Sequence, residues 1–213
     1  MSTNLNPEKA LIFRIVHREN VPWILRHGMY CRNARTQDPN YHTIGNPDLI
    51  DKRRRRPVPI PPGGMLSDYI PFYFTPYTPM LLNIKTGYGG VMKRPNEEVV
   101  IFVSSLHKLN ESDIQFLFTD RHAYLVNAEF YDDVKNLGKL DWKILQNRDF
   151  RRDPDDPGKM ERYQAEALVY NQIPVEAFIG LVCYTDKVCG DMAKLVDNYG
   201  LQLQVVKRTG WYF

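Results

Sequence analysis

Apolar and polar positions alternate most clearly near the start of the chain. "ALIFRIVH", from Ala10 to His17, sets β-branched residues at a two-residue period and predicts a strand. "RENVPWILRHG", from Arg18 to Gly28, predicts a helix: Pro22 suits its first turn, Trp23 and Ile24 mark an apolar side, and Gly28 marks the stop. Residues 30 to 68 hold no strong period and are rich in Asn, Arg, Pro and Gly, ending in "PIPPGGMLSD". So long an irregular segment in a compact domain is usually functional or disordered. "YIPFYFTP" (Tyr69 to Pro76) predicts a strand closed by Pro76 and Pro79, and "EVVIFVSSL" (Glu98 to Leu106) is the strongest strand in the chain. "QFLFTD" is a short strand, "AYLVNAEFYDDVKNLGKLDWKILQN" mixes a strand with helical turns, and "DPDDPGK" is a turn-rich loop. A strand in "PVEAFIGLVCYT", a helix from Val188 to Asn198 and a last strand in "LQLQVVKRTGWYF" complete the pattern. Strands with short helices between them predict an α+β fold with a largely antiparallel sheet. With 213 residues, no internal repeat and no separate linker, one domain over residues 1–213 is expected.

Composition narrows the function classes. Apolar residues make up 43% and aromatics 12%, enough for a sizeable core, and no stretch approaches the roughly 18 apolar residues of a membrane span. The polar start "MSTNLNPEKA" has no signal-peptide pattern, so a soluble cytoplasmic protein is expected. Cys31, Cys183 and Cys189 have no paired metal spacing and read as reduced thiols. His17, His27, His42, His107 and His122 are scattered, with no HExxH, so no metal is expected. The absence of GxGxxG and of a Walker loop argues against Rossmann and P-loop nucleotide sites. Net charge is only +3, but five cations run from Lys52 to Arg56. Arg26, Arg32 and Arg35 precede them, and Arg148, Arg151 and Arg152 form a later cluster. Such runs meet phosphate or are simply solvated.

A few residues raise chemical questions. Glu166 sits among apolar neighbours in "MERYQAEALVYNQIP". It is either a helix-surface acid paired with Arg162 four residues back, or an acid held rigidly to polarise a hydroxyl or take a proton. Arg53 could offer phosphate a bidentate fork or be solvated. Tyr69, Phe72, Tyr73, Phe74 and Tyr77 crowd one region; most are core, yet alternation could expose a set for stacking on nicotinamide or a base. In "FTDRHAYL", Arg121 and His122 either open a turn or face a nucleic-acid strand.

Three blocks, "GGMLSDYIPFYFTPYTPML", "FLFTDRHAYL" and "QAEALVYNQIP", in that order and at this spacing, resemble the DarT family. These are the DNA ADP-ribosyltransferase toxins of bacterial DarT–DarG toxin–antitoxin systems. The resemblance runs from about Leu11 to the terminal "WYF". It implies the ADP-ribosyltransferase fold, two mainly antiparallel sheets around a split NAD cleft. It implies transfer of ADP-ribose from NAD, without a metal, to a base in single-stranded DNA within a short motif, blocking replication. Thymidine is the leading target and guanine the alternative. By the same resemblance Glu166 is the catalytic glutamate and Arg53 the catalytic arginine. Arg14, Ile15, Val16, Trp23, Cys31, Arg53 and Tyr73 would bind NAD, with Tyr73 in the middle of a His–Tyr–Glu style triad. The segment from about Asn40 to Val58 would cover NAD. The loop from His122 to Glu166 would read DNA, with Arg121, His122, Arg148, Arg151 and Arg152 as its contacts. A monomer opposed by a cognate macrodomain-type antitoxin completes the expectation.

The sequence departs from the family in two places. Arg14, in "FRIV", stands where the family commonly has His, and Tyr77 stands where it carries Arg. Arg14 either bonds the NAD ribose or phosphate or ends a strand with its head in solvent. The residue types suit the chemistry. The bond to nicotinamide breaks with oxocarbenium character, which a carboxylate on the ribose 2′-hydroxyl stabilises. The thymine ring nitrogen must lose its proton as it attacks, so a base or an adjacent cation is needed. The target base must be unstacked, which favours single strands. A silent nucleic-acid-binding module and a protein-modifying transferase are the competing readings.

Overall fold

The computed structural model describes residues 5–213. Its first strand, β1 (Leu11–His17), is followed by a 3-10 turn over Arg18–Asn20 and then by α1 (Val21–His27). The predicted helix therefore starts three residues late, with Pro22 in its first turn. Gly28 ends it at φ 81°, and a Cβ there would lie 2.7 Å from the Ile173 carbonyl oxygen, so both conformation and space require glycine.

Residues 30 to 68 are not wholly irregular. After β2 (Met29–Tyr30), α2 (Pro47–Arg53) forms behind Asn46, whose side chain accepts from the Leu49 N–H. The strand at Tyr69 stops at Tyr73 rather than Pro76 (β3, Tyr69–Tyr73), and α3 (Pro79–Thr86) starts behind the Thr78 cap. β4 (Val99–Ser105) is buried at all seven positions, as its apolar run requires. Then come α4 (Leu106–Glu111), β5 (Phe116–Thr119), β6 (Phe130–Tyr131), α5 (Trp142–Asn147) and α6 (Lys159–Tyr163). β7 (Glu166–Tyr170), β8 (Gln172–Ile173) and β9 (Gly180–Cys183) lead to α7 (Asp186–Asn198), which buries Val188, Met192 and Val196 at four-residue spacing. The closing strand is short: β10 (Gln204–Lys207) gives way to a 3-10 turn at Thr209–Trp211.

Eight strands form one sheet in the order β10-β9-β4-β1-β3-β7-β5-β6, and β2 pairs with β8 in a second, two-stranded sheet. All pairs are antiparallel except β10 with β9. The large sheet is nearly divided. β1 pairs with β4 along its whole length but meets β3 at a single residue pair, Phe13 with Tyr73. The two expected sheets are therefore two four-stranded halves, β10-β9-β4-β1 and β3-β7-β5-β6, parting along the β1–β3 seam. The Arg14 guanidinium spans that seam by donating to the Pro71 carbonyl at 3.0 Å.

Alternation divides the second half between two cores. Ile70, Phe72, Ala167, Val169, Phe116 and Phe118 face the main core, while Tyr69, Leu168 and Leu117 face a smaller one with Val58, Leu66 and Ala123. Among the described residues no helix is long and apolar enough to cross a membrane.

Candidate active site

The split opens a cleft of about 1290 Å³, counting its mouth, between the half-sheets and the segment that precedes α2. Its lining includes Arg14, Trp23, Arg53, Tyr73, His122 and Glu166. Glu166 is the first residue of β7, opposite Tyr73 in register and 3% exposed. The helix-surface reading of this acid is thus overturned: Arg162, on α6, is bound to Asp141 and Asp156 instead. Pairing of β7 on both sides, with β3 and β5, holds Glu166 inside the sheet.

Both carboxylate oxygens are engaged. Oε2 accepts from Arg53 Nη1 at 2.7 Å, and Oε1 accepts from the Ala123 backbone N–H at 3.1 Å. His122 Nδ1 lies 3.1 Å from Oε1. The Glu166 N–H donates to Thr119 Oγ1 at 3.2 Å. Burial pushes the Glu166 carboxyl up, but the Arg53 charge and then His122 outweigh it and bring it down to about 2. Glu166 is therefore a buried, ionised and immobile carboxylate. Beside it, burial and then the Glu166 charge push the Tyr73 hydroxyl up to about 12, so Tyr73 stays neutral.

Arg53 reaches this position from the last turn of α2 and is 8% exposed, so it is not a solvated member of its basic run. Its Nη2 is buried with no partner among the described residues, as is Arg14 Nε. A buried unpaired donor costs about 1–3 kcal/mol. Arg56 Nε and Arg94 Nε, away from the cleft, are unpartnered too, but the Arg14 and Arg53 heads put two cations with a donor to spare on the cleft wall, where acceptor oxygens can meet them. Trp23, Ile24, Met29, Ile44 and Met80 supply apolar wall for flat rings. An anionic dinucleotide fits this combination.

Other expected residues fall as follows. Ile15, Trp23 and Cys31 line the cleft, and burial pushes the Cys31 thiol up. Arg14 lines it too, with its head on β3 rather than in solvent. Val16 does not line it: it has no exposed surface and belongs to the main core, because β1 beyond the seam is closed over on both faces. Of the crowded aromatics, Phe72 and Phe74 are core, and Tyr77 is taken up by Phe213 at 3.8 Å between ring centroids. Tyr73 is the half-exposed ring at the cleft.

The residues expected to meet DNA divide. His122 touches Glu166, which places it in the cluster around that carboxylate. Arg121 is paired with Asp120 and Glu161. Arg148 donates to the Gly210 carbonyl and lies over the Tyr77 ring. Arg151 is exposed and tied to its neighbour Asp149, and Arg152 is exposed. The sequence reading missed the Ala123 N–H and the Thr119 hydroxyl as partners of Glu166. Neither carries a local signal; both arrive because β5 pairs with β7 at Phe118 and Ala167. Among the described residues no group of three or more His, Cys, Asp or Glu side chains is arranged to hold a metal.

Comparison with known proteins agrees over the whole chain. The family model described as "ssDNA thymidine ADP-ribosyltransferase, DarT" matches residues 13–213. A curated DNA ADP-ribosyl transferase of Escherichia coli O127:H6 (strain E2348/69 / EPEC) is 51% identical over 212 residues, covering 100% of this chain and 97% of the relative. The solved structure of Thermus sp. 2.9 DarT in complex with ADP-ribosylated ssDNA superposes with a TM-score of 0.90 at 31% identity, covering all of both chains. The same Thermus protein in complex with NAD+ superposes at 0.84, covering 98% of this chain and 100% of that one. With a buried glutamate–arginine pair at the floor of a split-sheet cleft and a family match from Phe13 to the last residue, the chain belongs to the DarT family of single-stranded DNA thymidine ADP-ribosyltransferases.

Proposed function

We propose that the cleft takes NAD as co-substrate and that its ADP-ribose passes to thymidine in single-stranded DNA, with Glu166 and Arg53 as the catalytic pair. The observation that carries this reading is the buried, ionised Glu166, gripped by Arg53 at 2.7 Å and facing a cleft with two unpartnered donors. Solved relatives at 31% identity hold NAD+ and ADP-ribosylated ssDNA, which supports both substrates.

In the transfer, the bond from ribose C1′ to the nicotinamide nitrogen breaks, and its electron pair neutralises the nicotinamide as it leaves. The thymine ring nitrogen forms the new bond to C1′ and gives up its proton to solvent water. Glu166 acts first as fixed negative charge beside the developing oxocarbenium ion. Oε2, which accepts from Arg53 alone, keeps acceptor capacity for a ribose hydroxyl. A carboxylate held near pKa 2 is a weak base, so its main role is electrostatic. Arg53 divides its fork: Nη1 holds Glu166, and Nη2 is free to meet the anionic base or the pyrophosphate. Arg14 and Trp23 bind NAD from the β1 side, and Arg151 and Arg152 meet DNA phosphates. The protein acts in the cytoplasm as a monomer, where NAD and replicating DNA are available. A macrodomain-type antitoxin is the partner that its family's toxin–antitoxin pairing implies.

The test uses labelled NAD with thymidine-bearing single strands, the same sequence as duplex, a strand lacking thymine, and a protein acceptor. One ADP-ribose should appear on the thymidine strand alone, with nicotinamide released in equal amount, as read by mass spectrometry. Labelling of the thymine-free strand or of protein would overturn the assigned target.

A further inference from the structure

The segment in front of α2 crosses the cleft without secondary structure, and Tyr41, Thr43, Ile44, Gly45 and Asn46 form part of the wall. Something must hold it, because ordering free backbone costs about 1–2 kcal/mol per residue. Among the described residues, residues 41–45 make three hydrogen bonds to anything outside them: the Tyr41 N–H donates to the nearby Asp38 carbonyl at 3.2 Å, and the two that reach a distant part of the chain both go to one side chain. Asn20 Nδ2 donates to the His42 carbonyl at 2.9 Å, and the His42 N–H donates to Asn20 Oδ1 at 2.8 Å.

Asn20 is 1% exposed. It precedes α1 but does not cap that helix, since its side chain makes no capping bond. Its amide is spent entirely on His42, which it grips as a neighbouring strand would. The His42 ring also stacks on His17, with centroids 4.8 Å apart and planes 20° off parallel. His17 is fixed in turn by the Glu19 N–H and by Glu98. The far end of the strap carries Arg53, bound to Glu166.

We infer that Asn20 is a positioning residue for NAD: by clamping His42 it fixes the strap that walls the cleft, and so sets cofactor affinity without taking part in transfer. This rests on the reading that NAD occupies the cleft. Among comparably buried polar side chains the arrangement is specific. A donor and an acceptor on one planar amide match a carbonyl and an N–H on one residue, and neither partner has an alternative hydrogen bond.

The experiment measures KM for NAD and kcat with saturating single-stranded oligonucleotide for the parent, Asn20→Ala, Asn20→Asp and His42→Ala. Losing both bonds of the clamp should raise KM for NAD about tenfold in Asn20→Ala. The kcat value should stay within about twofold of the parent. Asn20→Asp, nearly isosteric, keeps the acceptor for the His42 N–H but turns a carboxylate oxygen on the His42 carbonyl, so its KM should rise at least as far as that of Asn20→Ala; it also serves if the Ala variant does not fold. His42→Ala keeps its backbone bonds to Asn20 and should stay near the parent. A second readout does not need NAD: chymotrypsin cleavage after Tyr41 should be faster in Asn20→Ala than in the parent. Unchanged KM and unchanged cleavage in Asn20→Ala would overturn the clamp. So would a kcat loss at constant KM, or a His42→Ala effect as large as that of Asn20→Ala. A parent that transfers nothing from NAD would instead overturn the assigned activity, and faster cleavage of Asn20→Ala would still support the clamp.

Discussion

Replacing Arg53 by alanine removes the main counter-charge of Glu166. The two side chains meet at 2.7 Å and are 10% and 4% exposed, so water does little to replace the lost contact. Stranding one member of such a pair costs about 3–5 kcal/mol, and we expect about 3 at pH 7 because the cleft admits some water to the vacated space. The cost should depend on pH. Glu166 ionises near 2 in the folded protein against an ordinary 4.5, so it contributes stability that is fully present above 4.5 and is lost as pH falls toward 2. In Arg53→Ala burial dominates, the carboxyl rises, and protonation relieves the variant before it touches the parent. The gap between the two proteins should therefore shrink to about half or less by pH 3. Urea unfolding followed by tryptophan fluorescence at pH 7 and pH 3 measures it. A deficit that is the same at both pH values, or below about 1 kcal/mol at pH 7, would refute the claim that Arg53 sustains the charge on Glu166. Arg53→Lys should recover most of the stability, since an ammonium can hold Oε2. It should not recover transfer, because one head cannot both hold Glu166 and present a second fixed donor.

Other consequences can be tested directly. Glu166→Gln should lower transfer by about 10²–10³ with NAD affinity little changed, since a group acting on the transition state is removed; wild-type-like labelling would dismiss Glu166 as catalytic. Arg14→Ala should raise the NAD concentration needed for labelling and leave single-strand affinity alone, while Arg14→His keeps part of the activity. Unchanged NAD dependence in both would reduce Arg14 to a structural tie across the β1–β3 seam. Arg151→Ala with Arg152→Ala should weaken single-strand binding and flatten its salt dependence by roughly 0.7 per lost phosphate contact, measured by titration at several salt concentrations. Arg148→Ala should instead show up in thermal unfolding, because its head is committed to Gly210 and Tyr77; a binding defect without a stability change would reverse that division of roles.

Strands with a strict local signal were readable along the chain without the fold. β1, β4 and β9 were legible because apolar runs bounded by turn residues need no distant partner to be recognised. The ends of α1 were legible to within a few residues from Pro22 and Gly28, and α7 begins two residues before the expected Val188 and ends at the expected Asn198. Glu166 and Arg53 were singled out by their setting and by three motif blocks. What they do to each other was not legible, because they lie 113 positions apart and meet only when α2 docks against β7. Local pattern likewise could not say whether Glu166 sat on a helix or a strand: "QAEALVY" is short, and pairing with β3 and β5 decides it. From the sequence, His122 beside Arg121 either opened a turn or faced a nucleic-acid strand; β5–β7 pairing carries it to the carboxylate instead. Val16 could not be told from Ile15, since both are apolar on one strand, and only closure of the core separates a wall residue from a filled interior. The clamp of Asn20 on His42 left no trace in any periodicity. Side-chain chemistry is written in the sequence, but the distances that turn it into a site are set by strand register and by the packing of segments far apart in the chain.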